Sequence, residues 1–288
     1  MGEGPLGARV AAGPMSVELS VHQGSHPYLS DHRVAGKPVV PVALAIEWMA
    51  RAARVFRPGA GPVALRDLKV LRGIKLDHFE NGGHRFALHA VARAGAGPDD
   101  LSVELRGSDN VLHFTATVET RAGERRPPER AADPRVGQWT REAVYDGHLL
   151  FHGPSFQVIQ SIAGVSKEGI IGTLTGTRER AWRPEAWRVD PAALDGALQF
   201  ALLWSREALG GASLPMAVAA FESYAEALPE GLIRCVVRGR EVHESRAVCD
   251  VLLEDAAGRP LAAFRGVETI LRPGEAVVRE GAPAGVPS

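Results

Sequence analysis

Two long apolar segments, residues 41–55 and 191–209, constrain the fold of this chain more than any other feature. Each is apolar on nearly every face, which predicts a helix enclosed by other elements rather than one that lies at a surface. Asp190 suits the N-cap of the second helix. Glu47 and Arg51, four residues apart, are predicted to form the exposed pair of the first. The fold must therefore bury two separate helices.

Short stretches that alternate apolar and polar residues surround both segments and end at Gly, Asp or Asn. Such stretches predict antiparallel strands with one face toward solvent. Because each sheet can bury its apolar face only on one helix and on the other half, the chain is predicted to be an α+β fold with two antiparallel sheets, each wrapped around a long central helix. The predicted strands are residues 15–21, 64–71, 85–94, 101–107, 111–120, 156–165, 169–177, 221–225, 231–238, 245–254 and 260–271.

Segments rich in Gly, Pro or charged residues divide the chain into two halves. Residues 1–14 and 273–288 are too poor in large apolar side chains to order themselves, so we expect flexible ends. Charge and two adjacent prolines exclude a central strand or a helix interior around residues 123–137, which we interpret as a linker. The first half then covers residues 15–122 and the second covers residues 138–272.

The composition argues against several classes of protein. The 33 Lys and Arg residues nearly balance 34 Asp and Glu residues, so no overall positive field favours nucleic acid or membrane as a partner. Cys235 and Cys249 are too few for a secreted disulfide scaffold and belong to no CxxC motif. Residues 1–14 lack the apolar run of a signal peptide, and no apolar stretch is long enough for a membrane helix. We therefore expect a cytoplasmic protein.

A polar motif runs directly into the first helix, with His32, Gly36 and Pro41 in the spacing HxxxGxxxxP. Glycine permits a close backbone approach, and proline at a helix start leaves the first amides free. Free amides at that point can hold a carbonyl oxygen that gains negative charge. A single histidine in such a place is more often structural than catalytic, so the motif needs support from elsewhere in the chain.

This motif resembles the dehydratase domains of polyketide synthases and of polyunsaturated fatty acid synthases, and other segments match the same family in the same order. Asp195 and Gln199 give its DxxxQ spacing, and their separation of four residues puts both side chains on one helix face. Residues 151–156, FHGPSF, resemble its YGPxF motif with His152 at the tyrosine position. Residues 214–216, LPM, match a weaker Leu-Pro pair. The resemblance covers about residues 15–272, and its details favour the branch of polyunsaturated fatty acid synthases.

The resemblance implies a double hotdog fold and a reaction in which water leaves a β-hydroxyacyl thioester to give an α,β-unsaturated chain. By the resemblance, His32 is the base and Asp195 the proton donor. The supporting residues that it implies are Gly36, Pro41, Gln199, His152, Gly153, Pro154, Phe156 and Pro215. It implies no metal and no cofactor in the domain, because the substrate arrives on the phosphopantetheine of an acyl carrier protein. The implied partners are that carrier, other domains of a synthase and a second copy of the chain.

Three alternatives stay open at this point. Asp195 could merely support the start of its helix, although an acid beyond the first turn of so apolar a helix needs a partner. Product-template domains use a similar His and Asp pair for aldol cyclisation, although they often have asparagine where Gln199 stands. A non-catalytic docking or dimerisation domain is the third alternative. His148 and His152 have a zinc-like spacing but no third ligand at a useful distance, so a metal is not predicted.

Overall fold

The structure is a computed structural model. It describes residues 15–272 except 60, 93–99, 121–124, 130, 141–142, 181, 183–185 and 226–228. The ends that the sequence predicts to be flexible, residues 1–14 and 273–288, lie outside the described part, as does some of the predicted linker. The described residues of that linker contain no helix, and their one strand begins at its last position.

Two long helices and fourteen strands make up the described chain, with three short 3-10 turns. The first half contains β1 (Met15–Val21), β2 (Arg33–Val34), β3 (Lys37–Pro38), α1 (Val42–Phe56), β4 (Ala64–Val70), β5 (His84–Ala92), β6 (Asp100–Gly107) and β7 (Leu112–Glu119). The second contains β8 (Gly137–Gln138), β9 (Ile159–Ser166), β10 (Gly169–Leu174), α2 (Pro191–Leu209), β11 (Ser213–Ser223), β12 (Ile233–Val242), β13 (Arg246–Glu254) and β14 (Pro260–Leu271). The two predicted helices and most of the predicted strands are present.

Twelve of the strands form one continuous antiparallel sheet in the order β1-β5-β6-β7-β4-β11-β14-β13-β12-β10-β9-β8. The halves join where β4 pairs with β11, from Ala64 opposite Glu222 to Lys69 opposite Ala217. The prediction of two separate sheets is therefore corrected to a single sheet that passes through both halves. Pairing β4 with β11 satisfies the backbone groups that two separate sheets would leave open at these edges.

Both helices pack against strands of this sheet and against each other, as their apolar sequences predict. Asp190 caps α2 by accepting a hydrogen bond from the Ala193 amide at 2.9 Å, and Gly210 ends the helix in the left-handed conformation at φ 76°. In contrast, α1 begins after Pro41, whose side chain cannot cap it. Pro41 is thus the N-cap residue rather than the first residue of the helix.

The prediction that Glu47 is exposed is wrong, because its side chain is fully buried. It does pair with Arg51, at 2.5 Å, but its carboxylate also accepts hydrogen bonds from the backbone amides of Arg188 at 3.0 Å and Val189 at 2.9 Å. These amides precede α2 and need an acceptor inside the protein. Glu47 therefore ties the first helix to the chain that leads into the second.

The strand β11 is longer than the sequence predicts, because it begins at Ser213 rather than near Phe221. Pro215 argues against a strand in the sequence, because proline cannot donate a backbone hydrogen bond to a neighbouring strand. The register with β14 shifts immediately after Pro215. A strand that contains proline can thus persist where its pairing is irregular.

Two further observations bear on the classes that composition disfavours. None of the described helices is long and apolar enough to cross a membrane. Cys235 and Cys249 are buried free thiols.

Candidate active site

His32 follows a short 3-10 turn, Pro27–Asp31, and the residue is only 6% exposed. Its Nδ1 lies 2.9 Å from the carbonyl oxygen of Val39. A carbonyl can only accept a hydrogen bond, so Nδ1 carries the proton and Nε2 keeps its lone pair. The fold thus favours the tautomer in which Nε2 is free to accept a proton.

The hairpin of β2 and β3 brings Val39 back to His32. Ala35 and Gly36 have φ values of 50° and 79°, so both residues of the turn are left-handed, as in a type I′ hairpin. Gly36 allows this turn, but it is not among the residues that line the cavity described below. Gly36 thus has a structural role, since it shapes the turn that orients His32.

Asp195 lies in the second turn of α2 and is 4% exposed. Gln199, one turn later, donates from Nε2 to its Oδ2 at 2.8 Å and to the Phe156 carbonyl oxygen at 2.9 Å. The predicted contact between these two residues is present in the structure. Asp190, and not Asp195, caps the helix, so the helix-support alternative for Asp195 fails.

Tyr145 is a site residue that the sequence analysis missed. Its hydroxyl donates to Oε1 of Gln199 at 2.8 Å and accepts from the Ile159 amide at 2.9 Å. The tyrosine therefore fixes which end of the Gln199 amide faces Asp195. No local signal identifies it, because its partner is 54 residues away in the chain.

Two histidines from different halves face the two oxygens of Asp195. His32 Nε2 lies 3.9 Å from Oδ1, and His152 Nε2 lies 3.5 Å from Oδ2. The two imidazole centroids are 5.1 Å apart. His152 is 4% exposed, and its Nδ1 has no hydrogen-bond partner among the described residues. The base and acid that the sequence predicts are thus brought together, and a second imidazole accompanies them.

Asp31 ties the loop that carries His32 to the loop that carries His152. Its backbone carbonyl accepts from the Gly153 amide at 2.7 Å, and its carboxylate accepts from the Ser155 amide at 2.9 Å and hydroxyl at 2.5 Å. A Cβ atom at position 153 would lie 2.8 Å from Oδ1 of Asp31, which explains the glycine. The two halves are therefore joined immediately beside the histidines.

Pro154 and Phe156 support the site from behind. Pro154 opens the 3-10 turn Pro154–Phe156, and Phe156 is fully buried with its ring 5.1 Å from that of His32. Neither residue nor Gly153 lines the cavity. We expect these residues to shape the turn and the tunnel rather than to react, and the structure places them in the turn but not in the cavity lining.

Burial shifts the pKa values of the three central groups toward their neutral forms. Desolvation lowers the pKa of His32 against the opposing effect of Asp195, and it lowers the pKa of His152 further because His32 adds to the shift. Desolvation raises the pKa of Asp195, while His32 and the hydrogen bond from Gln199 oppose the rise. A neutral imidazole beside a protonated carboxyl is a base and an acid ready to act together.

The same three side chains have the composition of a metal site, since their donor atoms lie within 4.8 Å of one another. Metal ligands must be deprotonated, however, and burial favours the protonated carboxyl of Asp195. The donor set therefore fits proton transfer better than metal binding. The absence of a metal from the working protein stays a prediction.

A cavity of about 680 Å³ opens in front of these groups and is lined by both halves. His32, His152, Asp195 and Gln199 line it, and so do Pro41 and Pro215 of the predicted set. The exposed cationic side chains along it come from the first half and are Arg72, Lys75 and Arg85. Apolar side chains come from both halves and include Val42, Ile74 and Phe86 of the first and Leu198, Leu202, Leu214 and Met216 of the second. The cavity thus has a charged part, an apolar part and a reactive group of residues.

Family models match both halves of the chain. A model described as polyketide synthase dehydratase N-terminal domain matches residues 121–277, and one described as polyketide synthase dehydratase domain matches residues 6–95. One polyunsaturated fatty acid synthase polypeptide of Thraustochytrium is 26% identical over 231 residues, which cover 73% of this chain and 8% of that protein. One phenolphthiocerol/phthiocerol polyketide synthase polypeptide of Mycobacterium tuberculosis is 28% identical over 191 residues, which cover 60% of this chain and 10% of that protein. The chain thus matches about a tenth of the length of these relatives.

Solved structures share the fold at lower sequence identity. The dehydratase domain from the CurF module of curacin polyketide synthase superposes with a TM-score of 0.74 at 18% identity, over 93% of this chain and 96% of that one. The dehydratase domain of PpsC from Mycobacterium tuberculosis, in complex with C12:1-CoA, gives a TM-score of 0.73 at 21% identity, over 90% and 94%. The similarity extends over nearly the whole of each domain.

Proposed function

The chain belongs to the polyketide synthase dehydratase family, and we propose that it removes water from a β-hydroxyacyl thioester carried by an acyl carrier protein. In this role it is a 3-hydroxyacyl-[acyl carrier protein] dehydratase that produces an α,β-unsaturated acyl chain. One observation carries the proposal. His32 and Asp195 come from opposite halves and line one cavity, where Nε2 of His32 lies 3.9 Å from Oδ1 of Asp195. Burial shifts the pKa of each group toward the protonation state that the reaction needs.

His32 removes the proton from the α-carbon of the substrate. Its Nδ1–H is committed to Val39, so Nε2 accepts the proton. The negative charge that develops on the thioester oxygen needs hydrogen-bond donors. The start of α1 suits this task, because no side chain caps it and both Pro41 and Val42 line the cavity.

Asp195 protonates the β-hydroxyl group as it leaves. Desolvation favours the protonated carboxyl before that step, and Gln199 holds its orientation. Loss of water leaves an imidazolium and a carboxylate 3.9 Å apart. Proton transfer from His32 back to Asp195 then restores both neutral groups, so the residues need no cofactor for this reaction.

The charged part of the cavity supports delivery of the substrate on phosphopantetheine. Arg72, Lys75 and Arg85 are exposed beside the cavity, where they can bind the phosphate of the carrier arm. The apolar residues on α2 and β11 can then receive the acyl chain. A carrier protein, the other domains of a synthase and a second copy of the chain are the partners that this role requires or permits.

The direct test is to incubate the purified chain with a 3-hydroxyacyl pantetheine thioester and to follow its mass. We expect the product to be lighter by one water molecule, and we expect Asp195→Asn to form almost none of it. A folded wild-type chain that leaves the mass unchanged contradicts the proposal and favours a docking role. Cyclisation of a poly-β-keto thioester without dehydration of the hydroxyacyl substrate favours the product-template alternative.

A further inference from the structure

His152 is a second base at a site where dehydration uses only one. Its Nε2 lies 3.5 Å from the oxygen of Asp195 that His32 does not face. It lines the same cavity, yet its Nδ1 has no partner among the described residues. Burying an imidazole with an unsatisfied nitrogen destabilises a protein, so a role in the reaction is the better explanation for its presence. Tyrosine, the usual residue here in the domains that this chain resembles, does not act as a base at neutral pH.

The product of dehydration is itself a substrate for a second base. In a 2-enoyl thioester the γ-protons are acidic, because the charge left by their removal spreads through the double bond to the thioester oxygen. The α- and γ-carbons are about 2.5 Å apart, across two C–C bonds. Two imidazoles whose centroids are 5.1 Å apart, on either side of one carboxyl, can therefore serve both carbons.

We propose that this site also moves the new double bond, converting the 2-enoyl thioester into the 3-enoyl thioester, with His152 as the γ-base. The inference rests on the proposed dehydration, which leaves His32 protonated and Asp195 ionised. His152 takes the γ-proton, and the electrons of that C–H bond form the β,γ double bond. The electrons of the former α,β double bond take the proton from His32 at the α-carbon.

The proton cycle then closes within the site. His152 passes its new proton to Asp195, whose Oδ2 lies 3.5 Å from Nε2. His32, His152 and Asp195 all return to the forms in which they started, and no outside acid, base or oxidant is needed. The carboxylate left by dehydration also favours the His152 imidazolium, because an opposite charge at this distance opposes the burial that lowers the histidine pKa.

Deuterium exchange at C4 of the acyl chain tests the inference. Wild type, His152→Gln and His152→Tyr are incubated in D₂O with a 3-hydroxyacyl thioester and, separately, with the 2-enoyl thioester. Glutamine fills similar space and can donate to Asp195 but cannot take a proton, and tyrosine is a second variant that keeps a ring. His148→Gln is the matched control, because His148 is exposed and lies outside the cavity lining.

For the wild type and the His148→Gln control we expect deuterium at C4 and a fraction of 3-enoyl product. Conjugation favours the 2-enoyl form at equilibrium, so the label at C4 is the more sensitive readout. In both His152 variants we expect the ratio of the C4 exchange rate to the dehydration rate to fall about a hundredfold, as for loss of a general base. Thermal unfolding of each variant checks that the chain is folded.

The outcomes separate the two proposals. A wild-type chain that dehydrates the hydroxyacyl thioester without labelling C4 above a protein-free control overturns the isomerisation and keeps the dehydratase. Equal exchange ratios in the wild type and the His152 variants overturn the assignment of His152 as the base. Exchange at C4 of the 2-enoyl thioester without any dehydration overturns the dehydratase and keeps the isomerisation.

Discussion

The two halves share one plan, a long helix against antiparallel strands, but they differ where the helices begin. The start of α1 has no side-chain cap and lies at the cavity. The start of α2 is closed by Asp190, whose carboxylate accepts from the amides of Thr177 and Ala193 and from the Thr177 hydroxyl. The first half thus leaves helix amides available to a substrate, whereas the second uses its own side chain to satisfy them. Two halves with the same architecture can thus contribute different groups to one reaction.

The buried acids of the two helices differ in the same way. Glu47 on α1 accepts hydrogen bonds from two backbone amides and from Arg51, which oppose the rise in its pKa caused by burial. Asp195 on α2 accepts one from Gln199. The number of donors therefore distinguishes an acid that holds the structure together from one that keeps a proton to give away.

The largest expected effect comes from removing the acid of the second half. Asp195→Asn should lower kcat/KM about a thousandfold, because the asparagine amide cannot protonate the leaving hydroxyl. His32→Gln in the first half should have a similar effect. The double variant should be little worse than either single variant, since the two residues act in one step. Steady-state kinetics with a 3-hydroxyacyl thioester measures kcat/KM for the three variants. If the loss in the double variant equals the product of the two single losses, the residues do not act in one step.

The pH dependence of kcat/KM separates the contributions of the halves. Activity requires neutral His32, so it falls as the pH drops through the histidine pKa, which burial places below 6.5. Activity also requires protonated Asp195, so it falls as the pH rises through the carboxyl pKa, which burial places above 3.8. The residual activity of Asp195→Asn should keep the acidic limb and lose the alkaline one. An alkaline limb that survives in this variant contradicts the assignment of the acid.

Sequence patterns predicted the two helices, and the motifs that resemble the dehydratase family pointed to His32 and Asp195, because each of these signals is local. Helical periodicity, the cap at Asp190 and the spacing of Gln199 can all be recognised within a few residues. The single sheet, the burial of Glu47 and the part played by Tyr145 were missed for the opposite reason. Each depends on a partner that is distant in the chain, and the periodicity of a segment contains no information about that partner.

The contrast between the buried acids predicts unequal effects on stability. Glu47→Gln should lower the free energy of unfolding by about 3 kcal/mol, because it breaks a buried ion pair and weakens the acceptor for the amides before α2. Asp195→Asn should change it by less than about 1 kcal/mol, since burial favours the neutral form of the carboxyl that it replaces. Urea unfolding of both variants measures the difference. Equal destabilisation would remove the distinction between a structural and a reactive acid.

A smaller effect is expected at the contact that joins the halves. Asp31→Asn removes the charge that accepts from the amide and hydroxyl of Ser155, so the loops that carry His32 and His152 should lose their fixed spacing. Hydrogen bonds to a charged group contribute about 1.5–3 kcal/mol, which corresponds to a loss in kcat of about tenfold to a hundredfold. Asp255→Asn is the control, because Asp255 forms comparable bonds to Arg259 in a turn outside the cavity. Equal kinetics for the two variants would show that the halves keep their spacing without Asp31.

The smallest effect should come from Tyr145, which acts on Asp195 only through Gln199. Tyr145→Phe removes the hydrogen bonds to Gln199 and from the Ile159 amide. Only the bond to Gln199, about 1 kcal/mol, acts on the site, so we expect kcat to fall about fivefold with KM unchanged. Without the hydroxyl, the Gln199 amide is no longer held toward Asp195, and the hydrogen bond that lowers the carboxyl pKa weakens. The alkaline limb of the pH profile should therefore move to higher pH. Tyr224→Phe, which loses a hydroxyl bonded to Glu222 outside the cavity, should leave this limb in place. A fall in kcat without movement of the limb would mean that Tyr145 supports the fold of the second half and not its acid.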